Sequence, residues 1–252
     1  MNNKLVKLLC AVSILAISAN SCEADGVSGS ASVTNNYVAR GTAQTYSDIP
    51  SYMINVNYDY KGFYVGAFTA NVDFGEDQIQ TQSNPTYQEI DFWLGYRKPV
   101  DKLLFAFMFG TYNYLGDTFT PLDMMELKLA ITVPVVDKLN FTGSVGWTPD
   151  YFNILGQSVW VEGNLVYIVN DKVSLSTGVG RQFIPNQGGS DVMPYMEDGY
   201  SYTTWNVGVT YTFNSNWSLD LRYADTDRPE LGEVFERNPY GMNVSATIKF
   251  SF

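Results

Sequence analysis

Histidine is absent from the 252-residue sequence, and both of its cysteines, Cys10 and Cys22, lie near the N-terminus. Without histidine there is no Ser-His, Cys-His or Asp-His catalytic machinery, and the commonest transition-metal ligand is missing. Charge is scarce as well: 16% of residues are Asp, Glu, Lys or Arg, where globular proteins carry about a quarter. Basic residues are the scarcer sign, 15 against 26 acidic ones for a net charge of −11. A nucleic-acid binder needs the opposite balance. Past the N-terminal segment no apolar run approaches the ~18 residues of a membrane helix. Aromatics, by contrast, make up 15% and hydrophobic residues 45%. That excludes disorder, which combines low hydrophobicity with high charge. The length suits one all-β domain.

The N-terminus reads as an export signal. Lys4 and Lys7 precede the apolar run LLCAVSILAISA at 8–19, too short and too Ser-interrupted to span a bilayer but suited to a secretory h-region. Cleavage after Ala24 is favoured, giving a signal peptide over 1–24 and a mature domain over 25–252; Ser21 is the other small-residue site. A lipidated Cys22 is the rival, weakened by the lack of a large aliphatic residue three positions before it. Cleavage after Ala24 leaves no cysteine, so backbone pairing and packing alone must hold an exported chain together.

From Val27 onward the dominant period is two. Tyr52, Ile54, Val56, Tyr58 and Tyr60 alternate with polar neighbours, as do Ile90, Phe92, Leu94 and Tyr96, Leu127 to Val133, and Trp205 to Phe213. Weaker examples fall at 27–40, 63–74, 103–114, 139–148, 158–169, 173–183, 217–225 and 241–252. Each reads as a strand with one apolar face, about twelve in all. In 103–114 the phase is open, because Phe105, Phe107 and Phe109 compete with Leu104, Ala106 and Met108.

Short connections alternate with long ones. The short set is 61–62, 99–102, 134–138, 170–172 and 214–216, with Val-Asp-Lys-Leu recurring at 100–103 and 136–139, the mark of a hairpin repeat. The long set, 41–48, 75–86, 115–122, 149–157, 184–201 and 226–240, is richer in Gly, Pro and acid. Such alternation fits a transmembrane antiparallel up-and-down β-barrel, with short periplasmic turns and longer extracellular loops. Aromatics gather at the strand ends: Tyr60, Phe63, Tyr96, Tyr167, Tyr211, Trp217 and Phe250 beside short turns, and Tyr37, Tyr52, Phe74, Tyr112, Trp147 and Tyr223 beside long loops. Two belts bounding an aliphatic band are what two membrane interfaces select. The last strand carries Ile248, Phe250 and a terminal Phe252, similar to the signal read by outer-membrane barrel assembly machinery. The expected location is the outer membrane of a Gram-negative cell, with membrane lipid and lipopolysaccharide as surroundings.

The stretch Val33 to Thr45, with Tyr37, Arg40, Gly41 and Gln44, resembles the opening T-x-D-Y-x-x-R-G-x-S-Q motif of the TorF-like family of outer-membrane porins, a proteobacterial family largely of unknown function; Asn36 and Ala43 depart from its usual Asp and Ser. Lys61 to Gly66, Asn71 to Gly75 and Leu94-Gly95-Tyr96 are similar to further blocks of that family, so the likeness spans roughly 27–98. It implies a pore and names no solute.

Taken literally, the alternation points Asp59, Asp73, Glu89, Asp91, Glu126, Glu162 and Asp220 inward with Arg40, Arg97, Lys128, Arg222 and Lys249. Charges on a Ser/Thr/Asn/Gly wall describe a wet lumen, and rings of fixed charge select ions. Acids at 76, 77, 117, 191, 197, 198, 225, 227, 230, 233 and 236 add a negative field at the loop end, enriching cations there. The expected function is a porin-like channel for small hydrophilic solutes with mild cation preference. The alternatives are a plugged barrel whose charges pair across strands, acting as a surface receptor or structural protein, and a ligand-specific transporter stacking solutes on Trp93, Trp160 and Phe105 or Phe109. Enzymatic roles for Glu89 with Asp91 or Asp225 with Asp227, a Ca²⁺ loop at 225–236 and phosphate cradles at Gly188-Gly189 or Gly178-x-Gly180 are weaker readings: residues two apart on a strand are ordinary wall neighbours, and the spacings lack a full ligand set or a following helix. Nothing implies a cofactor or metal.

Overall fold

A strand with one apolar and one hydrophilic face satisfies its backbone in lipid only when the sheet closes and no edge remains. The computed structural model describes residues 25–45, 49–73, 86–116, 122–153, 155–185, 199–232 and 238–252. The proposed signal at 1–24, Phe74, the loop acids at 76, 77, 117, 191, 197, 198, 233 and 236, and the Gly188-Gly189 pair lie outside them.

The strands in chain order are β1 (Gly26–Thr34), β2 (Val38–Ala39), β3 (Thr42–Ala43), β4 (Ser51–Tyr60), β5 (Phe63–Asn71), β6 (Gln88–Val100) and β7 (Leu103–Leu115). They continue as β8 (Met124–Val136), β9 (Leu139–Thr148), β10 (Ser158–Ile168), β11 (Val173–Phe183), β12 (Tyr202–Thr212), β13 (Trp217–Thr226) and β14 (Asn243–Ser251). All but β2 and β3 form one closed antiparallel barrel, each strand paired with its neighbours in sequence and β1 sealing the ring against β14. At that seam Ser30 faces Ser251 and Thr34 faces Thr247, and the backbones of Gly29 and Phe252 exchange two 3.0 Å hydrogen bonds. The expected twelve-stranded up-and-down barrel is therefore the fold.

The turns follow from local chemistry. Lys61 and Gly62 have φ of 49° and 86°, the left-handed pair whose twist suits a two-residue hairpin. The two Val-Asp-Lys-Leu copies turn differently: positive φ falls on Asp101 in one and on Lys138 in the other. The second copy follows a register shift between Pro134 and Val136, as expected where proline removes a ladder donor.

Outward positions are apolar: Val56, Val65, Leu94, Leu129, Val179 and Val207 are all exposed beside buried or half-buried inward neighbours. A continuous apolar surface of this kind needs lipid against it. At the turn end the aromatic belt is a packed girdle, with ring centroids 4.8 Å apart for Phe63–Tyr96, 5.2 Å for Tyr211–Phe213 and 5.1 Å for Trp217–Phe250. At the loop end Tyr52, Tyr87 and Trp147 face outward.

Two sequence expectations need correction, and one left open is settled. The strand read as 27–40 leaves the wall at Thr34, and residues 35–45 turn inward. Tyr37 and Tyr112, read as belt residues, are buried inside instead. In β7 the phase resolves with Phe105 and Phe107 outward and Ala106, Met108, Tyr112 and Tyr114 inward. The alternation also turns Phe109 outward, which takes both phenylalanines out of the proposed solute stack.

Candidate functional site: the charged lumen and the hairpin at its mouth

Ten of the expected charges sit on inward positions of the wall: Asp59 on β4, Glu89, Asp91 and Arg97 on β6, Glu126 and Lys128 on β8, Glu162 on β10, Asp220 and Arg222 on β13, and Lys249 on β14. A charge withdrawn from water is tolerable when paired, and most of these are. Arg97 meets Asp59 at 3.0 Å and lies 4.2 Å over the Tyr64 ring. Lys128 donates to Glu162 at 3.2 Å, and Ser144 donates to the same carboxylate oxygen at 3.0 Å. Arg222 meets Asp220 at 3.2 Å while also donating to Asn206 and Ser176.

Glu89 and Asp91 differ. They are buried side by side on β6, and no salt bridge joins either to a base among the described residues. The Tyr114 hydroxyl donates to Glu89 at 3.0 Å, yet Glu89 Oε2 and Asp91 Oδ1 have no hydrogen-bond partner. This stretch of wall therefore carries uncompensated acid.

Two expected wall residues lie elsewhere. Asp73 falls beyond the end of β5, bridged to Thr45, and its amide donates to Gln44 at 2.8 Å. Arg40 sits in the turn of a small hairpin folded into the mouth of the barrel.

That hairpin starts where Asn35 and Asn36 bond across to β14: Asn35 donates to the Val244 carbonyl and Asn36 to Asn243 Oδ1 at 3.0 Å. β2 and β3 then pair around Arg40 and Gly41, whose φ values are 49° and 82°. Glycine is required at 41, since a Cβ there would lie 1.9 Å from Thr204 Oγ1 on β12. At the other side Tyr37 packs among Met53, Phe68, Ala70, Val72, Tyr112 and Tyr114. Burial, followed by the nearby Glu89 and Asp91 charges, pushes the Tyr37 hydroxyl well above the usual phenol range, so it stays a donor. Gln44 folds back to donate to the Thr42 carbonyl at 3.2 Å. Tyr37, Arg40, Gly41 and Gln44, the residues that carry the porin resemblance, are thus the working parts of one hairpin.

Arg40 crosses the lumen to the wall opposite its own strand. It donates to Glu126 on β8 at 2.5 Å and to Gln182 on β11 at 3.2 Å, and lies 5.1 Å over the Trp160 ring of β10. The receiving groups are oriented by others: the Tyr112 hydroxyl donates to Glu126 at 3.3 Å, and the Gln182 amide donates to Ser158 at 3.0 Å. Sequence reading did not single out Gln182, Tyr112 or Thr204 for this role. The available signal was the Arg40-Gly41 pair itself, which suits a tight turn better than a strand.

Of the weaker readings, Asp225 accepts from Tyr223 at 2.7 Å within β13, and Asp227 just beyond it accepts from the Thr203 amide at 2.6 Å, both ordinary strand-end contacts. Trp93 donates to Asn57 at 3.0 Å and Trp160 stacks under Arg40. Ile248 and Phe252 are exposed at the closing strand, with Phe250 between the rings of Trp217 and Phe252.

This architecture is similar to solved outer-membrane channels. A KdgM porin aligns with TM-score 0.57 at 11% identity, over 89% of this chain and 99% of that one. A NanC porin aligns with TM-score 0.55 at 12% identity, over 90% and 99%. An outer membrane channel from Pseudomonas putida F1 aligns with TM-score 0.53 at 13% identity, over 90% and 94%. At such identities the shared property is the fold. No curated protein matches the sequence. The model of one family covers residues 18–252, and the chain belongs to it: the bacterial proteins of unknown function termed Gcw_chp.

Proposed function

We propose that the protein is an outer-membrane, porin-like channel for passive passage of small hydrophilic solutes, with a mild preference for cations. The observation that carries the reading is the division of one closed wall into an apolar outer face with aromatic girdles and a hydroxyl-, amide- and charge-bearing inner face. Lipid outside and water inside suit these two faces. The cation preference rests on Glu89 and Asp91, the acids without a basic partner. Arg97, Lys128 and Arg222 are proposed to cancel the charge of the carboxylates they pair with, leaving Glu89 and Asp91 to bias the path.

The likeness of residues 27–98 to the TorF-like porins agrees with this reading, as does the fold shared with KdgM, a porin also known in complex with oligogalacturonate. Cleavage after Ala24, insertion by the barrel assembly machinery through Ile248, Phe250 and Phe252, and contact with lipopolysaccharide belong to the same proposal. Planar-bilayer recording in a salt gradient is the test. Conductance with a reversal potential of cationic sign is expected; silence at all voltages would end the channel reading. One feature favours a second reading, a barrel held shut: the hairpin of residues 35–45 reaches from Met53 on one side to Gln182 on the other. In that case current is expected only after the hairpin is unseated.

A further inference from the structure

The ion pairs in the lumen are of two kinds. In Asp59–Arg97, Lys128–Glu162 and Asp220–Arg222 both partners stand on barrel strands. In Arg40–Glu126 the acid stands on the wall but its base stands on the hairpin. Glu126 is 1% exposed, and the next base on its own strand, Lys128, is already engaged with Glu162. Whenever the hairpin leaves, Glu126 loses its cation and the wall presents a carboxylate open to a new one.

The cradle around that carboxylate is selective in its chemistry. Glu126 offers an oxygen, Gln182 offers its amide carbonyl because its NH₂ is spent on Ser158, and Trp160 offers a ring face. Gly180 leaves room for that ring, since a Cβ there would come 2.4 Å from it. The groups that touch the Arg40 head are thus acceptors and a π-face, which repel an anion and suit a flat cation with a fork of donors. We propose that this cradle is a binding site for solutes bearing a guanidinium group, and that Arg40 is its resident, tethered occupant. The proposal rests on the channel reading above and names the solute class for it. A guanidinium-bearing solute competes with Arg40, frees the hairpin and enters by the same act.

The test uses the purified mature protein with Arg40→Ala and, as a variant that keeps the stem on Trp160, Arg40→Met. Methylguanidinium is the probe and methylammonium, equal in charge but lacking the flat fork, is the control. Methylguanidinium is expected to raise the unfolding temperature of both variants and to block their current at millimolar concentration, about tenfold more potently than methylammonium, as fits a small ligand making two hydrogen bonds and a stack. Arg40→Ala combined with Glu126→Gln is expected to lose both effects. Equal potency of the two cations, or no response in either variant, overturns the site. Thermal stabilisation with bilayers silent in every variant keeps the site and removes the channel reading, so the two failures are told apart.

Discussion

Two arcs of the same wall are built from different side chains. Along β4–β7 the inward face carries most of the bulk, with Met53, Tyr64, Phe68, Trp93, Met108, Tyr112 and Tyr114 among smaller residues. Along β11–β14 and β1 they are mostly small and hydroxylated, with Ser28, Ser30, Ser32, Ser174, Ser176, Gly178, Gly208, Ser218 and Ser245 among them. The large arc fills its half of the barrel and gives the hairpin an apolar seat for Tyr37. The small arc carries less side-chain bulk, and its Asp220–Arg222 pair keeps 17% and 16% of its side-chain surface exposed, against 9% and 4% for Asp59 and Arg97. Small barrels fill their interiors with side chains; here the filling is one-sided, and the remaining path is expected along the hydroxylated arc.

The hairpin is the strongest lever on that difference. Gly41→Val places a branched side chain at φ 82° and against Thr204, so the turn cannot seat. A several-fold rise in single-channel conductance is expected, with the barrel still resistant to mild detergent. An unchanged conductance would mean that the path already bypasses the hairpin.

The ion pairs give the next largest contrast. Arg97→Ala strands a buried Asp59 and is expected to cost about 3–5 kcal/mol. Arg222→Ala leaves Asp220 with water nearby and the Thr210 hydroxyl donating to it at 2.7 Å, so about 1 kcal/mol or less is expected there. Unfolding in urea from lipid vesicles reads both. Equal losses would remove the distinction between a filled and a wet arc.

These two arcs were only half legible in the sequence. The period of two put Asp59, Glu89, Asp91, Glu126 and Arg222 on the face that the barrel turns away from its apolar surface, because side chains on a strand alternate unless a bulge intervenes. In β7 it failed to choose a phase, since phenylalanine and methionine are equally apolar; burial put Met108 inside and Phe107 out. The hairpin escaped because Val33, Asn35, Tyr37 and Ala39 continue a plausible alternation past Thr34. Periodicity says that two faces meet different surroundings. It does not say whether the hydrophilic face meets water or a returning piece of the same chain. That information is in long-range contacts such as Arg40 with Glu126 and Gln182, separated by 86 and 142 residues.

Adding bulk distinguishes the arcs more gently. Ser176→Phe projects a ring into the proposed path beside Arg222 and is expected to lower conductance with little change in stability. Ala70→Leu, which is fully buried behind Tyr37, is expected to do the reverse, costing about 1–3 kcal/mol by overpacking while leaving current nearly intact. Conductance and unfolding midpoints of the two variants form a single cross-check, and a shared pattern would contradict a one-sided lumen.

The smallest expected effect concerns selectivity. Glu89 and Asp91 belong to the filled arc, beneath Tyr37 and Tyr114, so their field reaches the path from across the barrel rather than from its edge. Replacing both with Asn removes that field without adding volume. The cation:anion permeability ratio is expected to fall by about twofold at 0.1 M salt, where the screening length is ~10 Å, and to change less at 1 M, where it is ~3 Å. Reversal potentials at both salt concentrations separate the two cases. A ratio that falls equally at both would place the acids at the edge of the path, and one that falls at neither would assign the preference to the acids of the loops.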